Sequence, residues 1–267
     1  MNKKELMLSL VLAALVIGLV IVTWLPLVNA IGLMGVAFLA WFFRKEKFNP
    51  WIKTGLFLLL VPLAFWVASY EPQGFSYPLL LSLDGDAGEP ARYELSVDFA
   101  KGIAGFLLLY LLWPKRMANE WVADKWISAL FVVFAPLIII GVAILVLGLQ
   151  WQPKPIEQIL QFAAVSLLIT CVAEEVFLRF LFQHNLRNAV ASVAANRALQ
   201  EIIPLLLVTF VFVAIHSGLS GAAVWVYALA GFLYGLSYTL GKNIVYPIAL
   251  HFLVNQIHFS FLTYPLG

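Results

Sequence analysis

The chain consists largely of apolar runs that are long enough to cross a lipid bilayer. The first, "LMLSLVLAALVIGLVIVTWLPLV", occupies residues 6–28 without a charged side chain. A helix needs about 20 apolar residues to span the hydrocarbon core, and a lipid-exposed backbone must bond its own polar groups. With 63% hydrophobic and 11% charged residues, the composition leaves little polar surface for a soluble domain. We therefore predict an all-α fold, a polytopic membrane helix bundle.

The spacing of the apolar runs predicts the number of crossings. The first run exceeds the apolar core of a secretory signal, which has about 7–15 residues, so we interpret it as an uncleaved span. Some later runs are short, and we expect about eight or nine transmembrane helices. The later spans are predicted at residues 30–43, 54–69, 99–113, 127–149, 157–182, 203–217, 222–240 and 244–263.

The basic residues predict the orientation of the chain in the membrane. Cytoplasmic connections of membrane proteins are enriched in Lys and Arg. Placing the N-terminus in the cytoplasm puts twelve basic residues inside and three outside, with Arg179 within a span. The inner group is Lys3, Lys4, Arg44, Lys45, Lys47, Lys53, Lys115, Arg116, Lys125, Arg187, Arg197 and Lys242, and the outer group is Arg92, Lys101 and Lys154.

The outer segment at residues 70–98 is the longest predicted connection. Its acidic residues are Glu71, Asp84, Asp86, Glu89, Glu94 and Asp98. Long loops of this kind act as lids in some proteins, but most are solvated connectors, and we predict a connector here.

Three charged residues lie together inside one apolar run, "TCVAEEVFLRFLFQ" at residues 170–183. Each ionised side chain at membrane depth costs roughly 2.5–3.5 kcal/mol on insertion scales, so a compensating role is expected. Glu175 and Arg179 are spaced i, i+4 and can pair on one helical face. Glu174 points about 100° away and is predicted to lack that partner, which suits a general base.

Histidines and an amide occupy two later spans. His216 lies in "FVFVAIHSG", one helical turn after Phe212, and "ALHFLVNQIHF" contains His251 and Asn255 at i, i+4. His258 continues the same stripe nearer the membrane surface, where a structural role is favoured. Such side chains often serve as interhelical hydrogen-bond partners. Together with a glutamate pair they indicate a catalytic site within the membrane.

These residues fall into three motifs that resemble a known family. "EEVFLR" resembles the EExxxR motif, "FVAIH" the FxxxH motif and "HFLVN" the HxxxN motif of the CAAX protease and bacteriocin-processing (CPBP or ABI) family of glutamic intramembrane endopeptidases. The motifs occur in the family's order, each on its own apolar span. The resemblance divides the chain into residues 1–150, transmembrane helices without a recognisable motif, and residues 151–267, a CPBP-type intramembrane protease core.

The resemblance also implies a role for each motif residue. Glu174 and His216 would activate the attacking water, and His251 and Asn255 would stabilise the oxyanion. Glu175 and Arg179 would support the helix and the position of Glu174. A zinc site built from Glu174, His216 and His251 is the alternative. The chain has no HExxH motif and no cluster of cysteines, so we predict a glutamic mechanism without a cofactor.

The expected substrate is a membrane-anchored protein or peptide, with the lipid bilayer as the other partner. A net charge of +2 gives no indication of nucleic-acid binding. We expect an integral, multi-pass protein of a bacterial inner membrane. Two other classes stay open: a non-catalytic scaffold or immunity protein that keeps the motifs for folding, and a proton-coupled transporter, because buried carboxylates and histidines also mark proton relays.

One expectation conflicts with the predicted spans. Glu174 would lie near the inner end of its span, whereas His216 would lie near the outer end of a short one. At about 1.5 Å per residue, that separation exceeds the reach of the side chains. Either the seventh span is predicted to start too early, or it lies deeper in the membrane than predicted. Extending it past Ser217 toward Leu219 would bring His216 inward.

Overall fold

The computed structural model of the protein describes residues 3–45, 47–83, 93–116, 125–216, 218 and 221–264. These residues form a helical bundle with one small β-hairpin. The helices are α1 (Lys3–Ile21), α2 (Leu27–Phe43), α3 (Pro50–Ser69), α4 (Phe99–Arg116), α5 (Lys125–Leu147), α6 (Ile156–Val193), α7 (Arg197–Ile215), α8 (Ala223–Gly241) and α9 (Val245–Phe261). Strands β1 (Leu79–Leu83) and β2 (Tyr93–Ser96) lie between α3 and α4.

The prediction of a polytopic helical membrane protein is confirmed, but the predicted number of crossings is not. In the described part of the chain, five helices are long and apolar enough to cross a membrane, namely α3, α5, α6, α7 and α8. Shorter apolar helical stretches occur at Ser9–Ile21, Leu27–Phe43 and Phe99–Trp113. Their outward-facing Leu, Ile and Phe side chains suit a lipid environment, in which apolar surface need not be buried against protein.

Helix α6, with 38 residues, is the element that carries the two glutamates. It contains two π-helical segments, Ser166–Cys171 and Val176–Gln183, which flank the α-helical turn Val172–Glu175. Long π-helical segments are rare and occur frequently at functional sites. The unusual winding therefore marks the stretch around Glu174 and Glu175.

In the outer segment, the described strands β1 and β2 pack against the helices, which differs from the solvated connector that we predicted. Strands β1 and β2 pair antiparallel, with Leu81 opposite Leu95. Both leucines are buried and pack in one cluster with Phe162 of α6 and Phe259 of α9. Successive side chains of a strand point to opposite faces, and the pairing of Leu81 with Leu95 places both on the face of the hairpin that packs against the helices. Asp84, Asp86 and Glu89 lie outside the described residues.

Helix α4 packs directly against the turn of α6 that contains the glutamates. A Cβ atom on Gly105 would lie 2.5 Å from the Cα atom of Ala173, and one on Gly102 would lie 2.6 Å from Ile169 Cδ1. Glycine at these two positions lets the helices approach closely. Val172 and Val176 of α6 also share a core with α2, α3 and α4. The division at residue 150 stays a prediction.

The conflict between the depths of Glu174 and His216 has a different solution from the one we expected. Helix α7 ends at Ile215, and His216 caps it; Ser217 and Leu219 lie outside the described residues. Helix α6 instead continues to Val193, well past the end that we predicted at residue 182. Glu174 therefore lies near the middle of α6, level with the end of the antiparallel α7.

Candidate active site

A cavity of about 300 Å³ brings together the four residues that were predicted to be catalytic. Glu174, His216, His251 and Asn255, which come from α6, the end of α7 and α9, all line it. The remaining wall is largely apolar and aromatic, with Phe212, Tyr227 and Tyr234 among its residues. A concave, mainly apolar pocket with a few converging polar groups is the usual form of a ligand or catalytic site.

Glu174 lacks the Arg179 partner, as predicted, but it has an ion-pair partner on another helix. The ammonium group of Lys101, in the first turn of α4, donates to Glu174 Oε1 at 2.7 Å. The Lys101 side chain is 24% exposed and that of Glu174 is 14% exposed. Neighbours on one helix cannot reveal a partner from another helix, so the sequence did not indicate Lys101. The contact occupies one carboxylate oxygen, and within the described part of the chain Oε2 has no hydrogen-bond partner and can accept from water.

The start of α4 fixes the position of Lys101. The backbone N–H of Lys101 donates to Asp98 Oδ1 at 2.9 Å, so Asp98 caps the first turn of the helix. Burial raises the pKa of Asp98 above its usual value, although the hydrogen bond from Lys101 opposes this change. The lysine is thus held at its backbone by one carboxylate and at its side chain by another.

Glu175 forms the predicted pair with Arg179 and a second bond that the sequence did not indicate. Its Oε2 accepts from Arg179 Nε at 2.8 Å, which confirms the i, i+4 pair. Its Oε1 lies 2.8 Å from His251 Nδ1 on α9. The Glu175 and Arg179 side chains are fully buried. Glu175 therefore joins α6 to the imidazole at the cavity wall.

The buried pair continues away from the cavity into a hydrogen-bond network. Arg179 Nη1 donates to Gln183 Oε1 at 3.2 Å. Gln183 Nε2 donates to Thr239 Oγ1 at 2.9 Å and to the carbonyl oxygen of Gly235 at 3.2 Å. These bonds connect α6 to α8 and use polar atoms that would otherwise be costly to bury.

His216 is oriented by its own helix. Its Nδ1 atom lies 2.7 Å from the carbonyl oxygen of Phe212. A carbonyl oxygen only accepts, so Nδ1 carries the proton, and in the neutral ring Nε2 keeps its lone pair. The rings of Phe212 and Tyr227 lie 4.7 and 4.9 Å from the imidazole, centroid to centroid. These contacts restrict the ring to one direction.

His251 and Asn255 are also held by neighbours in the wall. The His251 imidazole stacks on the Tyr234 ring, with centroids 4.6 Å apart and planes 19° apart. Asn255 Nδ2 donates to the sulfur of Cys171 at 3.8 Å. Cys171 is buried, as expected for a small side chain within a packed helix. Its contact with Asn255 was not predicted.

The described part of the chain contains no group of three His, Cys, Asp or Glu side chains arranged to hold a metal ion. The Lys101 ammonium also lies against Glu174, where it would repel a divalent cation.

Lys101, Tyr227 and Tyr234 are the site residues that the sequence did not identify. Lys101 had a usable signal, because it is one of few basic residues at the outer ends of the spans. The tyrosines had none, since an aromatic residue in an apolar span is usually a packing residue. His258 lines the cavity, and its Nε2 lies 3.1 Å from the carbonyl oxygen of Thr263. That contact agrees with the structural role favoured for it.

Comparison with known families gives a match over the region that contains Glu174, His216, His251 and Asn255. Residues 156–257 match a family described as Rce1-like, type II CAAX prenyl endopeptidase Rce1-like. The match extends from the start of α6 to two residues beyond Asn255, and it confirms the resemblance to the CAAX protease and bacteriocin-processing family. No curated protein and no solved structure shows significant similarity to the chain.

Proposed function

Because residues 156–257 carry the Rce1-like endopeptidase region, we propose that the protein is an intramembrane endopeptidase. It would hydrolyse a peptide bond in a membrane-anchored protein or peptide, in a bacterial inner membrane. The observation that carries the proposal is the convergence of Glu174, His216, His251 and Asn255 on one cavity from three parts of the fold.

Glu174 and His216 are the residues proposed to activate water. Glu174 Oε2 accepts a proton as the water oxygen bonds to the scissile carbonyl carbon, and the lone pair on His216 Nε2 holds the same water. The carbonyl electrons move to the oxygen and form a tetrahedral oxyanion. When the carbonyl is restored, the C–N bond breaks, and the proton on Glu174 passes to the leaving amine.

His251 and Asn255 are proposed to stabilise the oxyanion. The Asn255 amide is an N–H donor, and His251 provides a second donor at Nε2 when both ring nitrogens carry protons. Its Nδ1–H is then bound by Glu175. Donors fixed before the reaction act strongly in a cavity that excludes most water. Glu175 and Arg179 would keep the imidazole in place without touching the substrate.

Lys101 is proposed to hold Glu174 as a carboxylate. A glutamate in a low-dielectric site tends to remain protonated, and a protonated group cannot act as a base. The ammonium at 2.7 Å favours the ionised form. It also fixes Oε1, so that Oε2 is the oxygen that faces incoming water.

The choice between glutamic and metal-dependent catalysis has a direct test. The lysine beside Glu174 and the lack of a three-ligand cluster among the described residues support the glutamic mechanism. We expect the purified protein to retain its cleavage rate after treatment with a zinc chelator. Loss of cleavage with chelator, and recovery with added zinc, would refute the glutamic mechanism while leaving the peptidase function intact.

The function itself is tested by comparing membrane proteomes. Cells lacking the protein would be complemented with the wild type, with Glu174→Gln or with Glu157→Gln, an exposed glutamate on the same helix. We expect new cleaved termini in membrane-anchored proteins with the wild type and the Glu157 control, and none with Glu174→Gln. Identical termini in all strains would favour the scaffold or the transporter.

A further inference from the structure

The cavity lies at one end of the bundle, as the ends of the helices around it show. His216, which caps the end of α7, and Leu149, which follows the end of α5, line the cavity. Lys101, in the first turn of α4, reaches the same region by its ion pair with Glu174. Tyr264, beyond the end of α9, also lines the cavity. These side chains sit where chains enter or leave the bundle, so the cavity extends from Glu174, near the middle of α6, to this end of the bundle.

Other contacts identify which connections share that end. The Trp24 ring, between α1 and α2, stacks on Phe99 at the start of α4, with centroids 5.8 Å apart. Asn29, near the start of α2, donates to the carbonyl oxygen of Tyr70 just after α3 at 2.9 Å. The connection between α2 and α3 must therefore lie at the opposite end. The start of α7 lies there too, because His216 at its other terminus is at the cavity.

The opposite end of the bundle carries the basic residues. Arg44, Lys45 and Lys47 lie between α2 and α3, and Arg197 begins α7. Lys242, which follows α8, joins the same end by donating to Glu201 on α7 at 2.7 Å. Lysine and arginine in short connections mark the cytoplasmic side.

The cavity end has the reverse character. Its described connections carry the acidic residues Glu71, Glu94 and Asp98. Lys101 and Lys154 are the basic residues of its described connections and first helical turns, and Lys101 is neutralised by Glu174. The charge asymmetry and the position of the cavity are independent observations, one from the sequence and one from the helix packing.

From these two observations we infer that the catalytic cavity opens toward the non-cytoplasmic side of the membrane. Its substrates are then membrane-anchored polypeptides whose cleavable segment is exposed on that side or in the outer leaflet. The statement about substrates rests on the proposed function, whereas the direction in which the cavity opens depends only on the fold and the charges.

Single cysteines test the direction of opening in intact cells. Gln152 is exposed beside the cavity end, Leu149 lines the cavity, and Ser192 is exposed near the end of α6 on the basic side. Each would be changed to cysteine and treated with a membrane-impermeant maleimide before and after permeabilisation. The native Cys171 is buried, so the unmodified protein provides the blank.

We expect Gln152→Cys and Leu149→Cys to react in intact cells and Ser192→Cys to react only after permeabilisation. The reverse pattern would overturn the orientation. Labelling of Gln152→Cys without labelling of Leu149→Cys would overturn the opening of the cavity to that side. Repeating the series with Glu174→Gln separates this inference from the proposed function, because labelling does not require cleavage.

Discussion

The sharpest prediction concerns Glu175, which a sequence motif cannot distinguish from the glutamate beside it. Its carboxylate accepts from Arg179 Nε and from His251 Nδ1, both at 2.8 Å. The Glu175 side chain has no exposure to solvent. In Glu175→Gln one of these oxygens becomes an amide N–H₂ group. One contact would then be donor against donor, or His251 would move its proton to Nε2.

The cost follows from the burial of the pair. Removing one charge from a buried ion pair destabilises a protein by about 3–5 kcal/mol, because the remaining charge is left without compensation. Solvent does not screen the remaining charge, since the Arg179 side chain is 0% exposed, so the full destabilisation is expected. Glu174→Gln should cost much less stability, because its pair with Lys101 is partly exposed. It should instead lower cleavage by roughly 10²-fold or more, the scale of general-base loss.

The assay compares Glu175→Gln, Glu174→Gln and the exposed control Glu157→Gln in the same detergent. Folded yield, melting temperature and single-turnover cleavage of a substrate found by proteomics would be measured for each. We expect Glu175→Gln to be poorly folded and Glu174→Gln to be folded but inactive. A stable, inactive Glu175→Gln, or a Glu174→Gln that cleaves at the wild-type rate, would refute the assigned roles.

Two further predictions test the contribution of α4. Lys101→Met should lower kcat roughly tenfold, equivalent to about 1.4 kcal/mol, with little change in KM, and Lys101→Arg should restore part of the rate. The control is Lys125→Met, which changes an exposed lysine in the first turn of α5. Equal losses of rate in both methionine variants would contradict the role of the ion pair. Gly105→Ala should reduce the melting temperature and the folded yield, at a cost of about 1–3 kcal/mol for overpacking, because its Cβ would lie 2.5 Å from Ala173 Cα. The control is Gly141→Ala, which should fold normally because its Cβ would meet no neighbouring atom within 4 Å. A Gly105→Ala variant as stable as this control would refute the close packing.

Local patterns in the sequence were sufficient to predict much of the site. The i, i+4 spacing of Glu175 and Arg179 predicted their pair, because both partners lie on one helix and its geometry fixes their separation. The four residues predicted to be catalytic come from three spans, and all four line one cavity. Hydropathy predicted the helical membrane class, since apolar length directly reflects bilayer thickness.

Features that depend on contacts between distant segments were not predictable. The partner of Glu174 is Lys101, 73 positions earlier in the chain, and His251 reaches Glu175 across 76 positions. Helix α6 was predicted to end too early because the residues after Gln183 are too polar to be recognised as part of a transmembrane span. Its actual length is what places His216 level with Glu174.

The two adjacent glutamates have environments that suit different tasks. Glu175 is fully buried, with its two oxygens bonded to Arg179 and His251, so water cannot reach it without breaking those bonds. The Glu174 side chain is 14% exposed and lines the cavity, with Lys101 on one oxygen. A hydrolytic base must meet water in each cycle, whereas a residue that positions an imidazole must exclude it. Exposure, more than charge or spacing, therefore favours Glu174 over Glu175 for the proposed role of the base.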